Sequence, residues 1–215
     1  MARTFNGSSQ YASGASAPAS NVPLTISAWC KHANASGGVD IIVDIFLDGD
    51  DRQVLYINDQ DIKAFTISSG GSAEATASAG ASTTDWFHAC GVWTAINSRA
   101  AFLNGGSKGT DTTSLTTNTL TTVRAGASQG TTGFYEGTLA EIGVWNVALD
   151  DSEVASLAKG VSPLLIRPQS LVAYWPLFGN ESPELDRGKN RIDFTLTAAP
   201  TKAEHVRVYL PAEVA

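Results

Sequence analysis

Three carboxylates crowd the turn Asp48-Gly49-Asp50-Asp51, and the next turn, Asn58-Asp59-Gln60-Asp61, offers Asp59 or Asp61 as a further ligand. A hard cation such as calcium takes clustered oxygen ligands, so Asp48, Asp50 and Asp51 are the metal candidates of this chain. The competing reading is an acidic, solvated hairpin turn, which is favoured because the spacing matches no defined calcium loop. No other cofactor is suggested.

Bond-making chemistry is harder to assemble. Glycoside hydrolysis needs two carboxylates facing one cleft. Asp40 and Asp44, four apart on one strand, share a face by the strand period but have no third partner. Glu141, within Leu139-Ala140-Glu141-Ile142-Gly143, suits a structural carboxylate that anchors a nearby loop. A Ser or Cys nucleophile needs a His and an orienting acid, yet no Gly-x-Ser-x-Gly elbow accompanies His32, His88 or His205. The chain therefore reads as non-enzymatic. For sugar stacking the aromatic candidates are Trp29, Tyr56, Trp93, Tyr135 and Trp145, most of which are expected to pack in a core or on a sheet face.

The motifs Cys30-Lys31-His32 and His88-Ala89-Cys90 are mirror images. An antiparallel pairing that sets Cys30 opposite Cys90 also sets His32 opposite His88, with all four side chains on one face. Buried reduced thiols, a disulfide or a Cys2His2 zinc site would follow, in that order of preference.

The elements that position these residues are mostly strands. Apolar and polar residues alternate over Leu24–Lys31, Val39–Leu47, Gln53–Ile57, Ile62–Ser68, Trp86–Thr94, Leu120–Ala125, Phe134–Trp145 and Leu171–Leu177, between turn clusters rich in Gly, Asn and Asp. The low-complexity stretch Ser69–Thr84 is expected to be a hairpin tip. One short helix is predicted over 151–159, because Asp150 offers an N-cap, Val154, Leu157 and Ala158 share a face, and Gly160 can end it. After residue 197 an arm carries an alternating run from Val206 to Leu210, bracketed by Pro200 and Pro211. Such an arm either stays on its own domain or adds to a neighbour's sheet edge.

Composition agrees with one large β domain: 43% of the 215 residues are hydrophobic, only 16% are charged, and there are 20 Gly. The net charge of −7 repels phosphate backbones, so nucleic acid is not an expected partner. The N-terminus turns polar at once, with no apolar signal-peptide core, and no apolar run approaches the ~18 residues of a membrane span. Neither export nor membrane insertion is expected.

In their order along the chain, several segments resemble the laminin-G-like branch of the concanavalin-type jelly rolls. Phe5-Asn6-Gly7-Ser8-Ser9-Gln10-Tyr11 is similar to that family's opening strand and Leu24-Thr25-Ile26-Ser27-Ala28-Trp29 to its next. Trp86-Phe87-His88-Ala89-Cys90-Gly91-Val92 is similar to its central Trp-His-His-Val-Ala strand, with Phe87 and Cys90 as departures. Phe102-Leu103-Asn104-Gly105 is similar to its Tyr-Val-Asn-Gly hairpin, and Gly137 through Trp145-Asn146-Val147-Ala148-Leu149 to its late strand. The resemblance implies an all-β, two-sheet antiparallel jelly-roll sandwich (concanavalin A-like, laminin-G-like) over residues 1–197, with 198–215 as the arm. Likeness to the pentraxin branch, where a disulfide joins the corresponding strands, makes a Cys30–Cys90 contact plausible.

This sandwich hosts lectins, hydrolases, adhesion modules and virion proteins, and fold alone does not choose among them. The compact form opening with Met1-Ala2-Arg3-Thr4-Phe5 and closing with Tyr174-Trp175-Pro176-Leu177 resembles single-domain forms encoded by tailed bacteriophages. That implies a virion surface component, a capsid decoration or fibre protein, assembled in the host cytoplasm through self-association or through capsid or tail proteins. The alternative is a carbohydrate-binding, lectin-like module, calcium-assisted or not.

Overall fold

The computed structural model describes residues 1–33, 38–78, 80–179 and 182–209. Among these the strands, in chain order, are β1 (Ala2–Asn6), β2 (Tyr11–Gly14), β3 (Leu24–His32), β4 (Val39–Phe46), β5 (Arg52–Asn58), β6 (Asp61–Ser68), β7 (Gly71–Ala77), β8 (Phe87–Ala95), β9 (Ser98–Leu103), β10 (Ser107–Asp111), β11 (Thr122–Ala125), β12 (Glu136–Trp145), β13 (Leu171–Trp175), β14 (Thr195–Thr197) and β15 (Thr201–Ala203). The helix α1 (Asp151–Ala158) follows β12.

The strands pair into two antiparallel sheets. The first runs β10-β9-β8-β3-β12-β1-β15, with β13 also on β12, and the second runs β14-β2-β11-β4-β5-β6-β7. Their inner faces pack together as the expected jelly-roll sandwich. β6 shows the rule most clearly: Ile62, Ala64, Thr66 and Ser68 are buried, while Lys63, Phe65 and Ile67 face outward and are half-buried. Trp93, Trp175, Tyr135, Phe5, Phe87 and Phe194 fill the core, each large ring contributing roughly 2–3 kcal/mol by burial. The Trp93 indole N–H donates to Thr66 Oγ1 at 3.1 Å and so ties the two sheets together.

The outer face of the first sheet is covered. Helix α1 starts as predicted, with a capping box in which Asp150 Oδ1 accepts from the backbone N of Ser152 and Glu153, both at 2.9 Å, and Glu153 returns a carboxylate to Asp150 N. Val154 and Leu157 then bury against Cys90, Phe102, Trp145 and Tyr174. That cover explains why β8 is apolar on both faces rather than alternating.

Three expectations change. The opening segment is two strands, because Gly7 takes φ +68° and Asn6 Oδ1 accepts from the backbone N of Ser8, Ser9 and Gln10, so β1 joins one sheet and β2 the other. Ser69–Thr84 is more than a tip, since 71–77 is the full strand β7, paired with β6 from Ile62↔Ala77 to Ser68↔Gly71. The Cys/His mirror fails on register: β3 and β8 are antiparallel neighbours, but Ser27 faces Cys90 and Cys30 faces Phe87. An odd offset sends the two thiols to opposite faces. Cys30 lies in the inter-sheet core and Cys90 under α1, both as free thiols, which excludes the bridge and the shared zinc site. His88 pairs with Trp29 rather than with His32.

Both sandwich flanks are closed. A Cβ on Gly109 of β10 would strike the Thr76 carbonyl of β7, so glycine there lets the two sheet edges meet. On the other flank β14 pairs with β2, residues 198–200 cross between the sheets, and β15 pairs with β1. The chain then runs on to Tyr209, whose N–H donates to Gly160 O at 2.6 Å and whose carbonyl accepts from Ser162 N at 3.0 Å. The arm is thus laid along its own domain. Of the expected strand from Val206 to Leu210, Tyr209 forms a single bridge with Val161, and Leu210 lies outside the described residues.

Candidate functional site

The outer face of the second sheet carries a groove. Cross-strand pairing lines up three rows on it: Arg124, Asp44, Val54, Phe65 and Glu74; Ile41, Tyr56, Lys63 and Thr76; and Phe46, Arg52, Ile67 and Ser72. A β-bulge between Ile41 and Val43 makes this possible. It also overturns the expected shared face of Asp40 and Asp44. Asp44 joins the outer row opposite Val54, whereas Asp40 pairs with the core residue Ile57 and sets Oδ2 3.2 Å from His32 Nε2.

Asp44 organises the groove. It lies against Arg52 Nη2 at 2.9 Å and accepts from the backbone N of Gln129 at 2.9 Å, while Arg124 Nη1 donates to the carbonyls of Ser128 and Gln129 at 2.5 and 2.9 Å. Together they fold the loop 126–135 back over the sheet, where Gly133 O receives Ile41 N at 2.9 Å. Burial lifts the Asp44 pKa to about 6 despite the adjacent Arg52.

Between that loop and β6 lies a cavity of about 420 Å³, lined by Val39, Ile41, Val54, Tyr56, Phe65 and Ile67, with Arg52, Ser128, Thr132 and Gly133 at its rim. The Tyr56 and Phe65 rings meet edge-on at 5.8 Å and 74°. At the far end Glu74 takes the Tyr56 hydroxyl and Lys63 Nζ, the latter at 2.7 Å. Burial alone would raise the Glu74 pKa, but hydrogen bonds from Lys63, Tyr56 and Thr76 hold it below its ordinary value. An apolar, partly aromatic floor with polar groups at both ends suits a ligand with one C–H face and a hydroxyl-bearing edge.

The sequence candidates divide accordingly. Tyr56 lies in the groove. Trp93 and Tyr135 are core residues, Trp145 is sealed under α1 with its N–H on Ile166 O at 2.8 Å, and Trp29 stands edge-on to His88 on the first sheet. His88 is fully buried and bonded to Ser27 Oγ at 2.8 Å, and burial pushes its pKa down to about 3. Glu141 stands on a bulge with φ +54°, takes the Tyr174 hydroxyl at 2.6 Å and has His205 Nε2 3.4 Å away; burial raises its pKa to about 7. Arg52, Lys63, Phe65 and Glu74 were not anticipated. The available signal was Val54-Leu55-Tyr56-Ile57, apolar on both faces, which marks a strand whose outer side is also covered.

The calcium candidates do not assemble. Asp48 Oδ1 accepts from Asp50 N at 2.9 Å and Asp51 N at 3.1 Å, closing its own turn. Asp51 is buried and holds Asn118 by backbone N at 2.7 Å and Nδ2 at 2.9 Å. Asp59 and Asp61 lie beyond the other end of β5, about 20 Å away at ordinary strand rise. Among the described residues no three His, Cys, Asp or Glu side chains are grouped to hold a metal ion. The acidic turn is therefore read as loop structure.

These features define a β-sandwich with an open groove on one face and a helix-covered face opposite. Residues 6–155 match the family model of the concanavalin A-like lectin/glucanases superfamily, and the chain belongs to that family. A search of curated protein sequences gave no match. Among solved structures, the chain is similar to a heptameric SAP-like pentraxin from Limulus polyphemus, at 17% identity over 91% of this chain and 94% of that one, TM-score 0.62. It is also similar to a protein assigned to carbohydrate binding from Bacteroides ovatus, at 16% identity and TM-score 0.71, covering 97% of this chain but 61% of that one. Domain 4 of AbnA, a GH43 extracellular arabinanase from Geobacillus stearothermophilus in complex with arabinotriose, matches at 19% identity over 73% of this chain and 76% of that one, TM-score 0.62. At these identities the likeness establishes the fold.

Proposed function

We propose that this chain is a non-catalytic carbohydrate-binding module whose glycan lies in the groove of β4, β5 and β6. The observation that carries the reading is the pairing of Tyr56 and Phe65 above an apolar floor, with Arg52 and Asp44 at one end and Lys63 and Glu74 at the other. A sugar ring places its C–H face on such a floor and its hydroxyls on such rims. The similar solved structures include a domain in complex with arabinotriose, which supports the class of ligand. A glycan array identifies the saccharide, and calorimetry then compares the wild type with Tyr56→Ala and Phe65→Ala. Each substitution is expected to weaken binding at least tenfold, the ~1.4 kcal/mol that one lost aromatic contact can supply. Absence of binding across the array, or binding that both substitutions leave intact, overturns the reading.

A second reading places the module on a phage particle as a surface subunit. It draws on the terminal arm, whose strand β15 adds to the edge of the first sheet at β1 just as β14, immediately before the arm, adds to the second at β2. Cryo-electron microscopy of the native assembly is its test: repeated copies on a capsid or fibre support it, and a chain isolated as a free monomer in its native source does not.

A further inference from the structure

The arm after residue 197 is held in place by unusually little. Strands β14 and β15 have three residues each, and between them Ala198 and Ala199 both take left-handed backbone conformations, at φ +54° and +48°. Non-glycine residues avoid that region because Cβ crowds the carbonyl, and such strain persists only where neighbours over-determine it. Asp59 and Gln60 are strained in the same way, but seven-residue ladder pairing of β5 with β6 fixes their turn. At 198–199 the restraint is a clamp: Gln10 Nε2 donates to the carbonyls of Ala198 and Ala199 at 2.9 and 3.2 Å, and Arg3 Nη1 to that of Pro200 at 3.1 Å.

Beyond the clamp, the side-chain contact with the body gathers at His205, whose Nε2 lies 3.0 Å from Pro176 O and 3.4 Å from Glu141 Oε1 and whose ring stands edge-on to Phe178. A cavity of about 490 Å³ lies between the arm residues His205, Val206, Arg207, Val208 and Tyr209 and the body at Glu141 and Phe178. Glu141 Oε1 meets the arm through that His205 approach and makes no hydrogen bond besides, and Tyr209 is 71% exposed. The receiving surface is nevertheless specific, with Gly160 O and Ser162 N set to accept and donate to an incoming backbone, and β1 presenting an edge to Thr201–Ala203.

We propose that residues 201–209 exchange between two copies of this chain, each arm docking on the partner's β1 edge and on its Gly160–Ser162 segment, with 198–200 as the hinge. Opening the hinge releases the strained pair, while every arm contact is remade on the second copy. The surface thus fits a partner of one kind, an identical arm.

The hinge fixes the signs of the test. Ala198→Gly with Ala199→Gly tolerates left-handed backbone and should shift the equilibrium towards monomer, by roughly fivefold or more. Ala198→Val with Ala199→Val adds strain and should shift it towards dimer, as should Gln10→Ala, which removes the clamp. Light scattering after gel filtration over a concentration series reads the ratio. Independently, a chain carrying Val161→Cys and Tyr209→Cys, positions that bridge in the structure, is oxidised at high concentration and run on a non-reducing gel. Interchain-linked dimers that grow with concentration support exchange. A chain that stays monomeric throughout, dimers whose crosslinks remain within one chain, or hinge variants that change thermal stability without moving the monomer–dimer ratio each overturn it.

Discussion

Ionising Glu141 costs more in the folded chain than in the unfolded one, because burial strips water from its carboxylate and raises its pKa from 4.5 to about 7. The folded state therefore binds this proton more tightly, and the residue's contribution to stability falls as pH rises from about 4.5 to about 7. Glu141→Gln keeps an acceptor for the Tyr174 hydroxyl and removes the titration. The variant is expected to be more stable than the wild type at pH 8, by on the order of 1–3 kcal/mol, and nearly equal to it at pH 4.5. His88 acts oppositely: its pKa is lowered to about 3, so its contribution is present above its unfolded value of 6.5 and is lost as pH falls. Because His88 is common to both proteins, it cancels in the comparison. Urea midpoints at the two pH values are the measurement, and identical pH slopes for both proteins would contradict it. Glu141 was expected to anchor a nearby loop, whereas its carboxylate takes the hydroxyl of Tyr174 on β13. Its partners, Tyr174 and His205, come from distant segments and left no mark near it.

At the scale of the element, the loop 126–135 is held in part by Asp44, beside Arg124 and the backbone bond from Ile41 to Gly133. The raised Asp44 pKa, about 6, means that burial outweighs the attraction of Arg52, so replacing the ion removes a penalty as well as a partner. Asp44→Asn is therefore expected to change global stability by less than about 1 kcal/mol, yet to loosen the loop. An amide can still accept from Gln129 N, but it turns an N–H towards the Arg52 guanidinium. Faster amide exchange at Gln129 and Thr132, together with weaker glycan affinity, is the expected outcome; unchanged exchange there would show that Arg124 and the backbone bonds of the loop hold it without Asp44. The start of helix α1 was legible to the residue because its cap is local, while its end falls one residue short of the expected 159 and the Ile41–Val43 bulge was not legible at all. A single inserted residue reversed the face of Asp44, and alternation alone gives no warning of it. The same blindness to register separated Cys30 from Cys90.

At the scale of the molecule, the two carboxylates among the described residues whose pKa values burial raises to about 6 and about 7 stand on different sheets: Asp44 faces outward from the second, and Glu141 lies against Tyr174 outside the first. With packed sheets ~10 Å apart, outward-facing groups are too far from each other to flank one glycosidic bond, which needs about 5–10 Å. The purified chain is expected to hydrolyse no polysaccharide in a panel covering neutral and acidic glycans; steady reducing-sugar release abolished by Glu141→Gln or Asp44→Asn would refute this. The all-β class was readable from the alternation along most of the chain, and the jelly-roll topology from the resemblance of its segments to the laminin-G-like family. The groove was not, because it depends on which outer face a later loop comes to wall.

The covered face and the open face also give the molecule a heading. Of its six lysines, Lys31, Lys108 and Lys202 lie on strands of the first sheet, Lys159 follows α1, and Lys189 donates its backbone N to Leu171 of β13. Lys63 alone belongs to the groove side, and there its ammonium is engaged by Glu74. Chemistry directed at exposed amines thus grips the protein from behind. Coupled to a bead or sensor chip, copies would stand with the same face to the solution, a uniform lawn rather than a random litter. A sensor layer made through amines should therefore retain nearly all of its glycan-binding capacity, and one made through a single cysteine introduced at Thr132, on the groove rim, should lose most of it.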